Sequence, residues 1–159
     1  MRKGYTTGTC AQAAVKAAVI MLTSGKPVEI VELKTASGAE IKLKVHEQEM
    51  GANFAKCAVI KDSGDDPDIT DGIKVFAEVR FSPDAGIALR AGKGIGRVTK
   101  PGLAVNPGED AINPVPRQMI VNELTPYLDS APERGLEAII SVPGGEELAR
   151  QTFNPRLGI

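Results

Sequence analysis

The chain has 159 residues, 42% of them hydrophobic, with 19 Lys and Arg against 20 Asp and Glu and a formal net charge of -1. That length suits one domain able to bury roughly 70% of its unfolded surface. The near-neutral balance lacks the concentrated positive face that a nucleic-acid footprint requires, so nucleic acid is not an expected partner. Its two cysteines, Cys10 and Cys57, have no C-x-x-C spacing, and His46 is the only histidine. Neither a disulfide framework nor a zinc site is expected, and a reducing cytoplasm fits.

The first element expected is a helix. Thr9 stands at an N-cap position with Gln12 three residues on, a capping-box pattern, and Val15, Ala18, Val19 and Leu22 recur at helical spacing until Ser24-Gly25-Lys26-Pro27. The apolar stretch Ala11 to Leu22 is short and broken by Gln12 and Lys16, so no bilayer span or signal-peptide core is expected there. Three hydroxyls and a glycine, Thr6-Thr7-Gly8-Thr9, precede the helix. They suit simple capping, and equally a cradle for a carboxylate or phosphate, because the first N–H groups of a helix lack intrahelical partners.

Val28 to Leu33 and Ile41 to Val45 predict a hairpin joined through Ala36-Ser37-Gly38. Cys57 to Ile60 is a short apolar run expected to be a buried strand. Ile73, Val75, Ala77, Val79 and Phe81 alternate with polar residues and predict a partner strand across the intervening loop. That loop holds five aspartates between Asp62 and Asp71 and no basic residue. Between Ser82 and Pro116 fall five Pro and six Gly, with Ile87 to Leu89 the one strand expected, and Arg90, Lys93, Arg97 and Lys100 make a basic cluster. Irregular segments of this length in a compact domain are usually functional. Pro116 is expected at N1 of a helix running through Met119, Ile120, Val121 and Leu124. A loop from Asp129 to Gly135, a strand from Leu136 to Val142, a Pro143-Gly144-Gly145 turn and a helix from Glu146 to Thr152 complete the chain.

Several chemistries are excluded by residue type. His46 has no Ser or Cys nucleophile pattern nearby and is expected at the surface. Gly92-Lys93-Gly94-Ile95-Gly96 resembles half a dinucleotide fingerprint, but Arg97 replaces the last glycine and no βαβ unit or following helix is expected around it. The aspartate run lacks the EF-hand order, so calcium is not expected there, a single divalent ion being the alternative, and no metal residue is assigned.

Four segments in order are similar to one family: Gly4-Tyr5-Thr6-Thr7-Gly8-Thr9-Cys10-Ala11, Cys57-Ala58-Val59-Ile60-Lys61-Asp62-Ser63-Gly64-Asp65-Asp66-Pro67-Asp68, Gly94-Ile95-Gly96-Arg97-Val98-Thr99-Lys100-Pro101-Gly102-Leu103 and Ile112-Asn113-Pro114-Val115-Pro116-Arg117. They resemble the CbiD family of cobalamin-biosynthesis proteins. The resemblance implies a cobalt-precorrin-5B C-1 methyltransferase using S-adenosylmethionine, in an α+β, two-layer sheet-and-helix domain like the second domain of ribosomal protein S5. It further implies that residues 1–159 form one domain at the amino-terminal side of a longer architecture. The expected substrate is a cobalt-precorrin tetrapyrrole with several peripheral carboxylates, which spaced cations and N–H donors would hold. Thr6, Thr7, Thr9, Arg97, Lys100 and Arg117 are the candidates for that task, and Asp65 or Asp66 is the candidate base. The alternative is a tetrapyrrole-binding or assembly module without a methyl-donor site.

Overall fold

The computed structural model describes residues 6–35, 37–62, 72–92, 114–130 and 134–143. In chain order these form α1 (Thr7–Ser24), β1 (Ile30–Lys34), β2 (Glu40–Lys44), β3 (His46–Met50), β4 (Phe54–Ile60), β5 (Lys74–Ser82), β6 (Ile87–Ala91), α2 (Pro114–Ser130) and β7 (Gly135–Ser141). The expected turn and helix from Gly144 to Thr152 lie outside the described residues. The class is α+β, as expected: α1 packs on β4 and β5, α2 packs on β6 and β7, and the helices touch each other, so both cover one face of a sheet.

The helix α1 begins earlier than its pattern suggested. Thr6 is the N-cap, and its hydroxyl accepts from the Thr9 N–H at 3.0 Å. Gly25 ends the helix in the left-handed region at φ 71, where a residue without Cβ carries no steric penalty. Small residues make α1 unusually deep. Ala11, Ala13, Ala14, Val15, Ala17, Ala18 and Val19 are all fully buried, because the helix is enclosed by the sheet, by α2 and by β1. Gln12 does not form a capping box; its amide donates to the Lys34 carbonyl at 3.2 Å and to Glu123 Oε1 at 2.9 Å.

β1 and β2 pair antiparallel as a separate two-stranded sheet, with Ile30 opposite Lys44 and Lys34 opposite Glu40. The other five strands lie in the order β3-β4-β5-β7-β6. β4 and β5 pair antiparallel from Ile60↔Lys74 to Phe54↔Arg80, across the aspartate loop as expected. The inward positions of the central strands, Ala55, Cys57, Val75, Ala77, Val79, Ala138 and Ile140, are fully buried under the helices. β3 has no counterpart in the sequence reading. Its residues, His-Glu-Gln-Glu-Met, are polar because it is an edge strand, and its register to β4 shifts between His46 and Glu49.

A second departure concerns connectivity. β6 and β7 run parallel, joined through α2, so a strand-helix-strand unit exists where none was expected. Its helix starts at Pro114, well beyond Gly96, so the dinucleotide fingerprint, which must open a helix directly, gains nothing from it. α2 also starts two residues before Pro116, and it continues through Pro126 to Ser130.

Candidate functional site

One end of the five-stranded sheet gathers the segments that the sequence marks. β4 is parallel to β7, since both are antiparallel to β5, and β7 is parallel to β6. Hence the chain leaves β4 at Lys61, β6 at Gly92 and β7 at Val142 on the same end. The aspartate loop departs and returns there, its neck closed by the Lys61 N–H to the Ile73 carbonyl at 2.9 Å and the Gly72 N–H to the Lys61 carbonyl at 2.8 Å. The basic segment also starts there, where the Gly92 N–H donates to the Ile140 carbonyl at 2.6 Å.

Both helices begin at this end. The Cys57 thiol donates to the Ala14 carbonyl at 3.2 Å, and Cys10, one turn earlier, feels the charges of Lys61 and Asp62, so α1 runs antiparallel to β4. α2 ends at Ser130 and β7 starts at Gly135, a short link that holds the helix C-terminus at the far end of the sheet. The two helix starts, with their unmatched N–H groups and positive dipole ends, therefore share the end from which the loops emerge.

Of the expected site residues, Thr6 is exposed, Thr9 and Arg117 are half-buried, and Thr7 is 9% exposed. Thr6 caps α1, Thr7 and Thr9 lie in its first turn, and Arg117 lies in the first turns of α2, so the fold brings these groups to one end of the sheet. Asp65, Asp66, Arg97 and Lys100 lie outside the described residues. Arg90, from the basic cluster, is engaged elsewhere: its Nε lies 3.2 Å from Glu137 on the sheet face turned away from the helices. His46 starts β3 opposite Ala58, while the neighbouring Cys57 thiol faces α1, so a Cys-His pair has no geometric support.

Lys61 and Asp62 carried no role in the sequence reading. Lys61 is only 7% exposed, a rare state for a lysine, and it stands at the mouth of the acidic loop beside the start of α1. A signal was present in the sequence: a lysine placed directly after the apolar run Cys-Ala-Val-Ile must enter or leave the core at the strand end. A lysine charge beside a helix N-terminus adds to the positive potential that favours an anion there. Among the described residues no cluster of His, Cys, Asp and Glu could hold a metal ion, and no helix is long and apolar enough to cross a membrane.

Thr6 supplies the cap, so Thr6→Ala is expected to cost about 1 kcal/mol of stability, with a smaller cost for Thr9→Ala. Urea midpoints of the two variants check this order; a larger loss for Thr9→Ala would return the cap to that residue.

The two thiols give a pH signature. Burial pushes Cys10 up to about 12, with Lys61 pulling it down and Asp62 pushing it up, and burial alone does the same to Cys57. Folded thiols then stay protonated while unfolded thiols ionise above 9.0. Their contribution is intact below that pH and is lost as pH rises toward 12, by about 1.4 kcal/mol per pH unit for each thiol. Urea midpoints at pH 8 and pH 10 are expected to fall further for the native chain than for Cys10→Ala with Cys57→Ala. Equal falls would refute the assignment.

The comparisons with known proteins bear on the family. The family model described as CbiD matches residues 1–159. This chain belongs to the CbiD family. It is 49% identical over its whole length to a protein named cobalt-precorrin-5B C(1)-methyltransferase from Thermoanaerobacter sp. (strain X514), covering 43% of that protein. It is 47% identical over 99% of its length to a protein of the same name from Picrophilus torridus, covering 46% of it. A crystal structure of a cobalamin biosynthesis protein (cbiD) from Archaeoglobus fulgidus matches 96% of this chain and 47% of its own, with a TM-score of 0.65 and 33% identity. The chain thus spans less than half the length of these CbiD relatives.

Proposed function

We propose that this chain takes part in the S-adenosylmethionine-dependent methylation of C-1 of cobalt-precorrin-5B, giving cobalt-precorrin-6A in the anaerobic route to cobalamin. The observation that supports this most is the match along all 159 residues to relatives named for that activity. Residues 1–159 then form one α+β domain of a longer family architecture, working in the cytoplasm without a nucleic-acid or membrane partner.

The chemistry divides among the candidate residues. S-adenosylmethionine, when bound, supplies an electrophilic methyl group on a sulfonium. Thr6, Thr7, Thr9, Lys61, Arg97, Lys100 and Arg117 hold carboxylates, and spaced contacts of this kind fix the orientation of a flat, multiply anionic ring. Asp65 or Asp66 accepts a proton where the accepting carbon has to become nucleophilic. The α1 start with Lys61 fits a carboxylate, and both the tetrapyrrole and the methionine part of the donor carry one.

The second reading is a tetrapyrrole-binding or assembly module without a donor site, in which the groups at the two helix starts serve the tetrapyrrole alone. Separate calorimetric titrations with S-adenosylhomocysteine and with an octacarboxylic porphyrin distinguish the two. Saturable binding of both supports the methyltransferase reading, and porphyrin binding alone supports the module. Binding of neither rejects both.

A further inference from the structure

We infer that Gln12 is a positioning residue that sets the mutual register of the two helix starts. This rests on the substrate-binding reading proposed above. Gln12 is 2% exposed, and its side-chain amide uses both hydrogens, one on the Lys34 carbonyl that ends β1 and one on Glu123 of α2. It therefore links α1 to a strand and to the second helix at one point.

The surroundings explain why a polar group belongs there. The residues three and four positions from Gln12 on α1 are Gly8, Thr9, Val15 and Lys16, with Val15 fully buried, and α2 contributes Ile120 and Leu124 to the same core. Apolar contacts resist separation but are not directional, so they discriminate less sharply between neighbouring sliding positions. A buried hydrogen bond is directional and costly to leave unmade, so it selects one position.

The selected position matters for the site. Gln12 lies six residues after Thr6, and Glu123 lies six residues after Arg117. Both helices start at the same end of the sheet, so joining these residues brings Thr6 and Arg117 to the same level. At a rise of 1.5 Å per residue, each stands about 9 Å beyond the bond along its helix. Two groups meant for different carboxylates of one rigid ring need such a fixed separation, whereas a fold needing only cohesion would be served as well by leucine.

The test is a coupling measurement on the full chain, with an octacarboxylic porphyrin as the probe and far-UV circular dichroism confirming that each variant is folded. Gln12→Leu is expected to weaken porphyrin binding about tenfold. Glu123→Gln, which retains an acceptor for the Gln12 amide, is expected to stay within twofold of the native chain. In a background carrying Thr6→Ala and Arg117→Ala, Gln12→Leu is expected to change affinity less than twofold, since the groups it positions are gone. A structural role alone would give the same factor in both backgrounds, and that result, or native affinity in Gln12→Leu, overturns the inference. Should Gln12→Leu fail to fold, Glu123→Ala breaks the same link from the α2 side and is judged by the same criteria. Loss of all porphyrin binding in the native chain would reject the substrate reading and this inference together, whereas native binding with additive variants removes only the positioning role.

Discussion

Gly135→Ala is expected to destabilise the fold by about 3 kcal/mol, the upper part of the range for overpacking, and to lower Tm by about 6–12 °C in a chain of this size. Gly135 opens β7 opposite Ser82 of β5, and the Leu136 N–H donates to the Gly86 carbonyl at 2.9 Å. The cause lies in the strand order β5-β7-β6. Residues 83–86, linking β5 to β6, must cross the end of the slot that β7 fills. A Cβ on Gly135 would collide with the Asp84 carbonyl oxygen and lie 2.9 Å from that of Gly86. Both are backbone atoms, so relief requires the crossing turn to move and its bond to Leu136 to stretch. Gly38→Ala is the matched control. At φ 92, with nothing within 4 Å of an added Cβ, it carries only the left-handed penalty of about 1–2 kcal/mol. Thermal unfolding of the two variants side by side checks the expectation, and an equal loss in both would remove the collision argument.

The second large effect concerns chemistry. On the proposed reading, in a complete enzyme, Asp65→Asn together with Asp66→Asn is expected to lower kcat for methyl transfer by about 10²- to 10⁴-fold, the usual contribution of a positioned general base. Asparagine keeps the shape and the turn-forming hydrogen bonds of aspartate but takes no proton at neutral pH. Porphyrin affinity is therefore expected to change less than threefold. Single-turnover rates with binding measured separately distinguish the cases. An undiminished rate would eliminate the base, and a matched loss of affinity would recast these aspartates as part of the frame of the site.

The local elements of this protein were written in its local sequence. The helix through Val15, Ala18 and Val19 follows from a 3.6-residue period, Gly25 marks its end, and the alternation from Ile73 to Phe81 gave a strand whose inward residues are buried. The hairpin around Gly38 was equally visible. Each depends on residues within a few positions of one another, which is the range over which propensity and capping act. The family, too, was legible, because four ordered loop motifs are a property of the chain and need no fold to be compared.

Contacts distant in sequence decided the rest. β3 was missed because an edge strand needs no apolar alternation. The insertion of β7 between β5 and β6, and with it the constraint on Gly135, depends on pairings such as Ile87 with Leu136 and Ser82 with Gly135, 49 and 53 residues apart, that no window of sequence contains. Thr6 and Thr9 are equivalent capping residues locally, and the choice fell to Thr6 because the buried helix runs one turn further back, carrying Cys10 beside Lys61. Gln12 looked like half of a capping box, yet once α1 was enclosed its amide could be satisfied only by Lys34 and Glu123. Sequence alone fixed which residues carry charge and hydroxyl groups. The gathering of Thr6, Thr7, Thr9, Lys61 and Arg117 at one end of the sheet came from strand order and helix direction, which are set by burying one shared apolar face.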